Sequence, residues 1–221
     1  MSAARRLCPT LDPMTTSAAE IDLDQDPDDD APAYTPRRWP YGEMLVSSLL
    51  SLLASFVLSV DAIILASNPD ADLSCNISSQ ISCGAVGSSW QANLFGWPNA
   101  FLGLIAEPVV ITIAILGLAG TRFPRWFLLA AQFVYTLGLI FALWLFYQSY
   151  FNINAMCPWC LLVTATTILV WTSMTRINIE AGNFGEGVRR ALTPPLNYNA
   201  DIIGSVLLIA VLGAMVVYRY A

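Results

Sequence analysis

Five apolar segments dominate this sequence, and each is long enough to cross a lipid bilayer as a helix. Crossing the hydrocarbon core takes about 20 residues. Inside lipid the backbone must satisfy its own N–H and C=O groups, and runs of this length do so as helices. With 56% hydrophobic and only 12% charged residues, the chain is predicted to be an all-α integral membrane protein. The predicted spans are 44–66, 99–119, 126–148, 157–175 and 202–218.

The arginines predict how these spans are oriented. They precede the first span, separate the second from the third and follow the fourth, at Arg37, Arg38, Arg122, Arg125, Arg176, Arg189 and Arg190. The loops between spans one and two and between spans three and four contain none. By the positive-inside rule those loops face outward and the N-terminus is cytoplasmic, in a plasma or inner membrane. Only Arg219, at the predicted outer C-terminus, departs from this pattern.

The chain divides into four predicted regions. Residues 1–40 are acidic and proline-rich, so they are predicted to be a disordered cytoplasmic tail, with Cys8 incidental. Residues 41–176 are predicted to form a four-helix domain, 177–200 a cytoplasmic loop and 201–221 the fifth membrane helix. The net charge of -6 comes largely from the tail, and we expect lipid rather than nucleic acid around the folded part.

The absence of histidine removes several kinds of site. The sequence contains no histidine, and its ten basic residues are all arginine. Histidine-ligated metal or haem sites and a histidine general base are therefore excluded, and we predict no metal.

Four of the five cysteines fall on the predicted outer face as two pairs. Cys75 and Cys83 lie in the first outer loop, whereas Cys157 and Cys160 open the fourth span. Residues three apart share one helix face, about 4.5 Å apart along the axis, which fits a disulfide. Cys157 is placed at a helix N-terminus, which should lower its pKa, and Pro158 suits the first turn. Cys160 lies one turn deeper, towards an acceptor dissolved in the membrane.

Two dithiols on one face predict a relay, in which thiol–disulfide exchange carries electrons from one pair to the other. The alternative is two structural disulfides in a non-enzymatic membrane protein. That alternative stays open for Cys75 and Cys83, since extracytoplasmic loops are often cross-linked. It is weaker for Cys157 and Cys160, because a disulfide that closes so short a loop adds little stability. The spacing C-x7-C also disfavours a zinc knuckle.

At these residues the chain resembles the vitamin K epoxide reductase family in its bacterial branch, over residues 44–175. The resemblance rests on the paired loop cysteines, the "SS" that ends six residues after the second, "GWPNAFLG" at the start of span two, and C-x-x-C at the start of span four. It implies a four-helix catalytic bundle plus a fifth membrane helix, with an outer loop that carries an interfacial half-helix.

The resemblance implies a role for each matching position. Cys157 and Cys160 would be the active-site pair, with Cys160 beside the quinone. Cys83 would form a transient disulfide with Cys157, and Cys75 would receive electrons from a thioredoxin-like protein. Two further positions match family residues beside the quinone, Ser89 and Asn99. Without the resemblance, a helix cap is the favoured role of Asn99, because asparagine is a preferred N-cap residue.

The chain departs from the family pattern in two places. Thr164 stands where the vertebrate branch has a quinone-contacting tyrosine, so its hydroxyl has a shorter reach. The sequence also ends after the fifth span, whereas many bacterial members continue into a fused thioredoxin-like domain. We therefore expect a separate thioredoxin-like partner outside the membrane.

The remaining candidates leave alternatives open. Trp90, Phe95 and Trp97 either line the quinone pocket or anchor the loop at the headgroups. Two acids fall within the spans, where charge is costly, so either is a candidate proton relay. The alternatives are that Asp61 reaches interfacial water and that Glu107 bonds to polar groups of a neighbouring helix.

The predicted function is quinone-dependent oxidation of a thioredoxin-like protein in support of disulfide bond formation, with menaquinone or ubiquinone as the electron acceptor. One alternative use of the same site is reduction of vitamin K quinone or its epoxide. A transmembrane carrier of reducing equivalents would need thiols that are reachable from the cytoplasm, and all four paired cysteines are predicted to lie outside.

Overall fold

The computed structural model of the chain describes residues 37–78 and 80–220. Most of the predicted tail, together with Cys8, therefore lies outside the described residues. The α-helices are α1 (Arg38–Ser67), α2 (Cys83–Gly87), α3 (Ala100–Leu118), α4 (Arg125–Gln148), α5 (Pro158–Glu180), α6 (Glu186–Asn197) and α7 (Ala200–Tyr220). A short 3-10 helix covers Trp90–Asn93, and a π-helical turn, Ser149–Ile153, extends α4.

The predicted fold class is confirmed. Five helices are long and apolar enough to cross a membrane: α1, α3, α4 with its π-helical extension, α5 and α7. All regular secondary structure in the described ranges is helical, and no strand is formed there. The short helix α2 and the 3-10 helix lie between α1 and α3, where the interfacial half-helix is predicted. The protein is therefore a multi-pass helical membrane protein.

Helix α1 lies in the bundle against α3 and α5, and α5 also contacts α4, α6 and α7. Small residues bring α1 and α3 together, as is usual between helices in lipid. A Cβ atom on Gly103 would lie 2.0 Å from the Ser55 hydroxyl oxygen, and one on Gly117 would lie 2.2 Å from the Tyr41 ring. Both glycines of α3 are therefore required by the close approach of α1.

At the end of the bundle away from the cysteines, one buried arginine joins α5, α6 and α7. Arg176 is 1% exposed, and its guanidinium lies 3.1 Å from a carboxylate oxygen of Glu180 and 3.1 Å from one of Asp201. It also donates to the Leu196 carbonyl at 2.9 Å and lies over the ring of Trp39. Arg176 therefore holds together the ends of α5 and α6 and the start of α7.

The segment 177–200, predicted as a loop, is largely helical. Helix α5 continues to Glu180, and α6 covers Glu186–Asn197. The turn between them uses Gly182 and Gly185, whose φ angles of 73° and 100° suit glycine. Contact with α5 holds α6 against the bundle, because the Leu196 carbonyl accepts a hydrogen bond from Arg176.

We predict that Arg176→Met destabilises the protein by about 3–5 kcal/mol, because it removes a buried cation that contacts both Glu180 and Asp201. The matched control is Arg189→Ala, which breaks the solvent-exposed pair with Glu186 and should cost about 0–1 kcal/mol. Thermal unfolding midpoints in detergent measure both. Equal shifts for the two variants would contradict the role given to Arg176.

Candidate functional site

The structure brings the two cysteine pairs together at one end of the bundle. Cys75 and Cys83 are joined by a disulfide, whereas Cys157 and Cys160 are free thiols. The sulfur of Cys157 lies 3.2 Å from that of Cys83, and these two residues are only 1% and 2% exposed. Cys83 therefore touches both pairs, and a small movement would exchange its bond to Cys75 for a bond to Cys157.

A two-residue backbone bridge sets this contact. Ile81 and Met156 pair in parallel as an isolated bridge. The Ser82 N–H donates to the Met156 carbonyl at 3.0 Å, and the Met156 N–H donates to the Gln80 carbonyl at 2.8 Å. Cys83 and Cys157 follow directly on the two sides of this bridge. Such a short pairing leaves no periodic pattern, so sequence reasoning missed it.

Asn76, which sequence reasoning also missed, fastens the loop of Cys75 to the helix of Cys83. Its Oδ1 accepts hydrogen bonds from the Ser82 hydroxyl at 2.9 Å and from the Gly84 N–H at 3.0 Å. The Ser82 hydroxyl in turn accepts from the Ala85 N–H and caps α2. One amide therefore holds the loop against the first turn of α2.

The C-x-x-C motif of Cys157 and Cys160 opens α5 as predicted. Cys157 is the N-cap residue, Pro158 is the first helical residue, and the Cys157 sulfur accepts from the Cys160 N–H at 3.4 Å. The pKa of Cys157 is lowered, as predicted. The largest cause is a hydrogen bond from the Cys160 side chain, which outweighs burial, and the backbone N–H groups of Trp159 and Cys160 add to it. The partner thiol thus contributes more than sequence reasoning assigned to it.

Asp61 lies beside the loop disulfide. Its Oδ2 is 3.6 Å from the Cys75 sulfur, and the two sulfurs of the disulfide and this carboxylate all lie within 4.8 Å of one another. The side chain is 9% exposed, so it is mostly withdrawn from water. When Cys75 is reduced, its thiol faces a carboxylate that can accept a hydrogen bond.

Glu107 lies deep in the bundle, away from the cysteines. It is 4% exposed, and its Oε1 accepts hydrogen bonds from Ser51 at 2.8 Å and Tyr135 at 3.2 Å. Its Oε2 has no partner among the described residues. The predicted bonding to neighbouring helices is therefore present, and a proton-relay role stays a prediction.

The amide of Asn99 is not used as a helix cap. Asn99 stands at the N-cap of α3 without a side-chain capping bond, and its Nδ2 donates to the Gln91 carbonyl at 2.6 Å. Its Oδ1 is buried and has no partner among the described residues. Buried polar atoms are nearly always hydrogen-bonded, so this oxygen is free to accept a hydrogen bond from a ligand or a water molecule.

The other predicted quinone-site residues have local partners. The Ser89 hydroxyl donates to the Val86 carbonyl at 2.6 Å and caps the 3-10 helix. The Thr164 hydroxyl donates to the Cys160 carbonyl at 2.9 Å, one turn back along α5. Both hydroxyls are therefore engaged by the backbone, and their contact with a quinone stays a prediction.

The three loop aromatics are exposed and pack on α4 or on each other. Trp90 lies edge-on to Trp144, with ring centroids 6.2 Å apart, and Phe95 contacts Phe141 at 5.8 Å. Trp97 contacts Phe95. Their exposure and packing suit anchors at the membrane surface.

We predict that the Cys160 side chain controls the acidity of Cys157. In a chain that carries Cys8→Ser, Cys75→Ala and Cys83→Ala, Cys157 is the only thiol when Cys160 is replaced by serine or alanine. Cys160→Ser keeps a donor and should keep the pKa of Cys157 low, whereas Cys160→Ala should raise it, so that alkylation begins at higher pH. The pH dependence of iodoacetamide labelling measures this, and identical profiles would contradict it.

Comparison with known proteins agrees with the geometry. No curated protein sequence matches the chain. A model of the vitamin K epoxide reductase family matches residues 43–175, more than half of the chain. This range contains both cysteine pairs and the helices that position them, and proteins of the family are oxidoreductases of the thiol–disulfide and quinone kind. The chain belongs to the vitamin K epoxide reductase family.

Proposed function

We propose that the protein is a quinone-dependent thiol–disulfide oxidoreductase that reoxidises a separate thioredoxin-like protein outside the membrane and so supports disulfide bond formation. The observation that carries the proposal is the position of Cys83, bonded to Cys75 and 3.2 Å from the Cys157 sulfur. One sulfur that contacts two others is the arrangement that sequential exchange requires.

Electrons enter at the loop disulfide. A thiolate of the partner attacks the Cys75 sulfur, forms a mixed disulfide and releases Cys83 as a thiolate. The second partner thiol then displaces Cys75, so that the partner leaves oxidised and the loop pair is reduced. Asp61, 3.6 Å from the Cys75 sulfur, is placed to take a hydrogen bond from the thiol that results.

Cys83 then passes the electrons inward. Its thiolate attacks Cys157 in the Cys157–Cys160 disulfide, and Cys160 leaves as a thiolate. Cys75 next displaces Cys157 from Cys83, which restores the loop disulfide and reduces the active-site pair. This last state, with the loop pair oxidised and the active-site pair as thiols, has the same pairing of sulfurs as the structure, which supports the proposed order.

The active-site pair faces the acceptor. A quinone bound there would take up two electrons and two protons. Asn99 fits such a ligand through both halves of its amide. Nδ2, which already donates to the Gln91 carbonyl, has a second N–H for a quinone carbonyl oxygen. The buried Oδ1, without a partner among the described residues, would accept from the hydroxyl of the hydroquinone. Asn99 would hold a quinone oxygen, and Cys160 and Cys157 would re-form their disulfide as they lose the electron pair. Menaquinone and ubiquinone both carry the oxygen that this site would bind.

The arginines support an extracytoplasmic site. Arginines lie just before α1, just before or at the start of α4, and near the end of α5. These helix ends are opposite the ends that carry the cysteines. By the positive-inside rule the cysteine end is then outside the cytoplasm, where thioredoxin-like oxidants of secreted proteins work.

We predict that purified protein reduces a short-chain menaquinone or ubiquinone under anaerobic conditions, with either reduced thioredoxin or dithiothreitol as the donor. Cys160→Ala should abolish reduction with both donors, because no active-site disulfide can form. Cys75→Ala should fail with thioredoxin and keep activity with dithiothreitol, which reduces the active-site disulfide directly. Absorbance of the quinone measures all three.

Cys8→Ser is the matched control, since Cys8 lies outside both pairs, and it should keep wild-type rates. Loss of activity with both donors in Cys75→Ala would contradict the assigned order. If the wild type reduces no quinone at all, the cysteines are structural or serve another acceptor, and the proposal is wrong. Vitamin K epoxide, offered as a second acceptor, distinguishes the alternative use of the site.

A further inference from the structure

A line of buried hydroxyls follows α1 along the bundle. Ser47, Ser51, Ser55 and Ser59 recur every four residues and are all buried, so they share one face of the helix. Serines also let membrane helices pack closely, so the line marks a pathway only together with an ionisable group, because ionisable groups inside a membrane usually mark a pathway or a site. The line ends near Asp61, beside the loop disulfide.

Glu107 of α3 meets this line at its middle. Its Oε1 accepts from the Ser51 hydroxyl, and Tyr135 of α4 donates to the same oxygen. The second oxygen, Oε2, is buried without a partner among the described residues, and no ion pair found there includes Glu107. A membrane-buried carboxyl group with one free oxygen and no cation beside it can receive a proton and hand it on.

The line reaches the far end of the bundle at Glu43. The Ser47 hydroxyl donates to Glu43 Oε1 at 2.6 Å, and Ser173 of α5 donates to Oε2. Glu43 is partly exposed and lies in the second turn of α1, which begins at Arg38. It is therefore a carboxylate within reach of water on the side opposite the cysteines.

The line also continues from Glu107 towards the quinone-site asparagine. Asn99, Gly103 and Glu107 are four residues apart and share one face of α3. Ser55 occupies that face between the two polar residues, because a Cβ atom on Gly103 would lie 2.0 Å from its hydroxyl oxygen. Each four-residue step is about 6 Å along the axis, a distance that one water molecule can bridge.

We propose, on the basis of the proposed function, that protons consumed in quinone reduction enter from the side opposite the cysteines, along Glu43, the α1 serines and Glu107. Oxidation of a dithiol at the cysteine end releases two electrons and two protons. The electrons reduce the quinone, and the two protons that the quinone needs arrive through the bundle. Each turnover then moves positive charge across the membrane, which is a second activity of the protein.

The test uses the wild-type protein in vesicles that contain menaquinone and a trapped pH indicator, under anaerobic conditions. A membrane-impermeant dithiol peptide is added outside, so that only molecules with outward-facing cysteines turn over. We expect the interior to become alkaline in proportion to dithiol oxidised, and a protonophore to abolish the change. Dithiol oxidation with quinone reduction but without internal alkalinisation would overturn the proton route and leave the proposed function intact. Absence of any dithiol oxidation would overturn the proposed function and the proton route with it.

Variants test the assigned route. Glu107→Gln should lose internal alkalinisation per dithiol oxidised, and Ser51→Ala should reduce it. The matched control is Ser48→Ala, a buried serine whose hydroxyl donates only to the Met44 and Leu45 carbonyls of its own helix, and it should keep the wild-type ratio. A wild-type ratio in Glu107→Gln would overturn the proposal. If that variant does not fold, equal ratios in the two serine variants would overturn it.

Discussion

A contact of 3.2 Å between the sulfur atoms of Cys83 and Cys157 joins parts of the chain that are 74 residues apart. Exchange between two disulfides breaks one S–S bond for each that it forms, so the direction depends on small differences in potential, about 1.4 kcal/mol for every 30 mV. The position of the Cys83 and Cys157 sulfur atoms relative to each other therefore governs whether exchange occurs at all. The bridge at Met156, the Asn76 amide and the start of α5 all serve to hold this contact.

The fifth membrane helix, α7, lies outside the range that the family model matches, and it also supports the end of the bundle that carries the cysteines. Arg219 donates a hydrogen bond to Asn154 and lies over the ring of Tyr150, 4.7 Å from its centroid. Asn154 adopts a left-handed conformation with φ 56°, at the point where the chain leaves the π-helical turn towards Cys157. The one arginine that departs from the charge pattern therefore has a structural contact, because it ties α7 to the segment that precedes Cys157.

Hydropathy predicted the membrane spans well, because lipid leaves the backbone few choices, and the spacing of Cys157 and Cys160 predicted a helix start that the structure has. Contacts between distant segments of the chain were harder to predict from the sequence. The bridge at Met156 and the bonds of Asn76 depend on how two loops meet, and neither has a periodic signal. Glu107 was identified as unusual from its place in a span, yet its serine and tyrosine partners emerge only when helices pack. The helix α6 was missed because its glycine and its two prolines are typical of loops, whereas contact with Arg176 holds it in place.

The most direct measurement is the disulfide pattern of Cys160→Ala after acid quenching, alkylation and peptide mapping without reductant. With Cys160 absent, Cys157 can still attack Cys83 and release Cys75, but the bond that forms cannot be resolved. A Cys83–Cys157 disulfide with a free Cys75 thiol is the predicted result. An intact Cys75–Cys83 bond with Cys157 alkylated would show that these sulfurs do not exchange, and would contradict the relay.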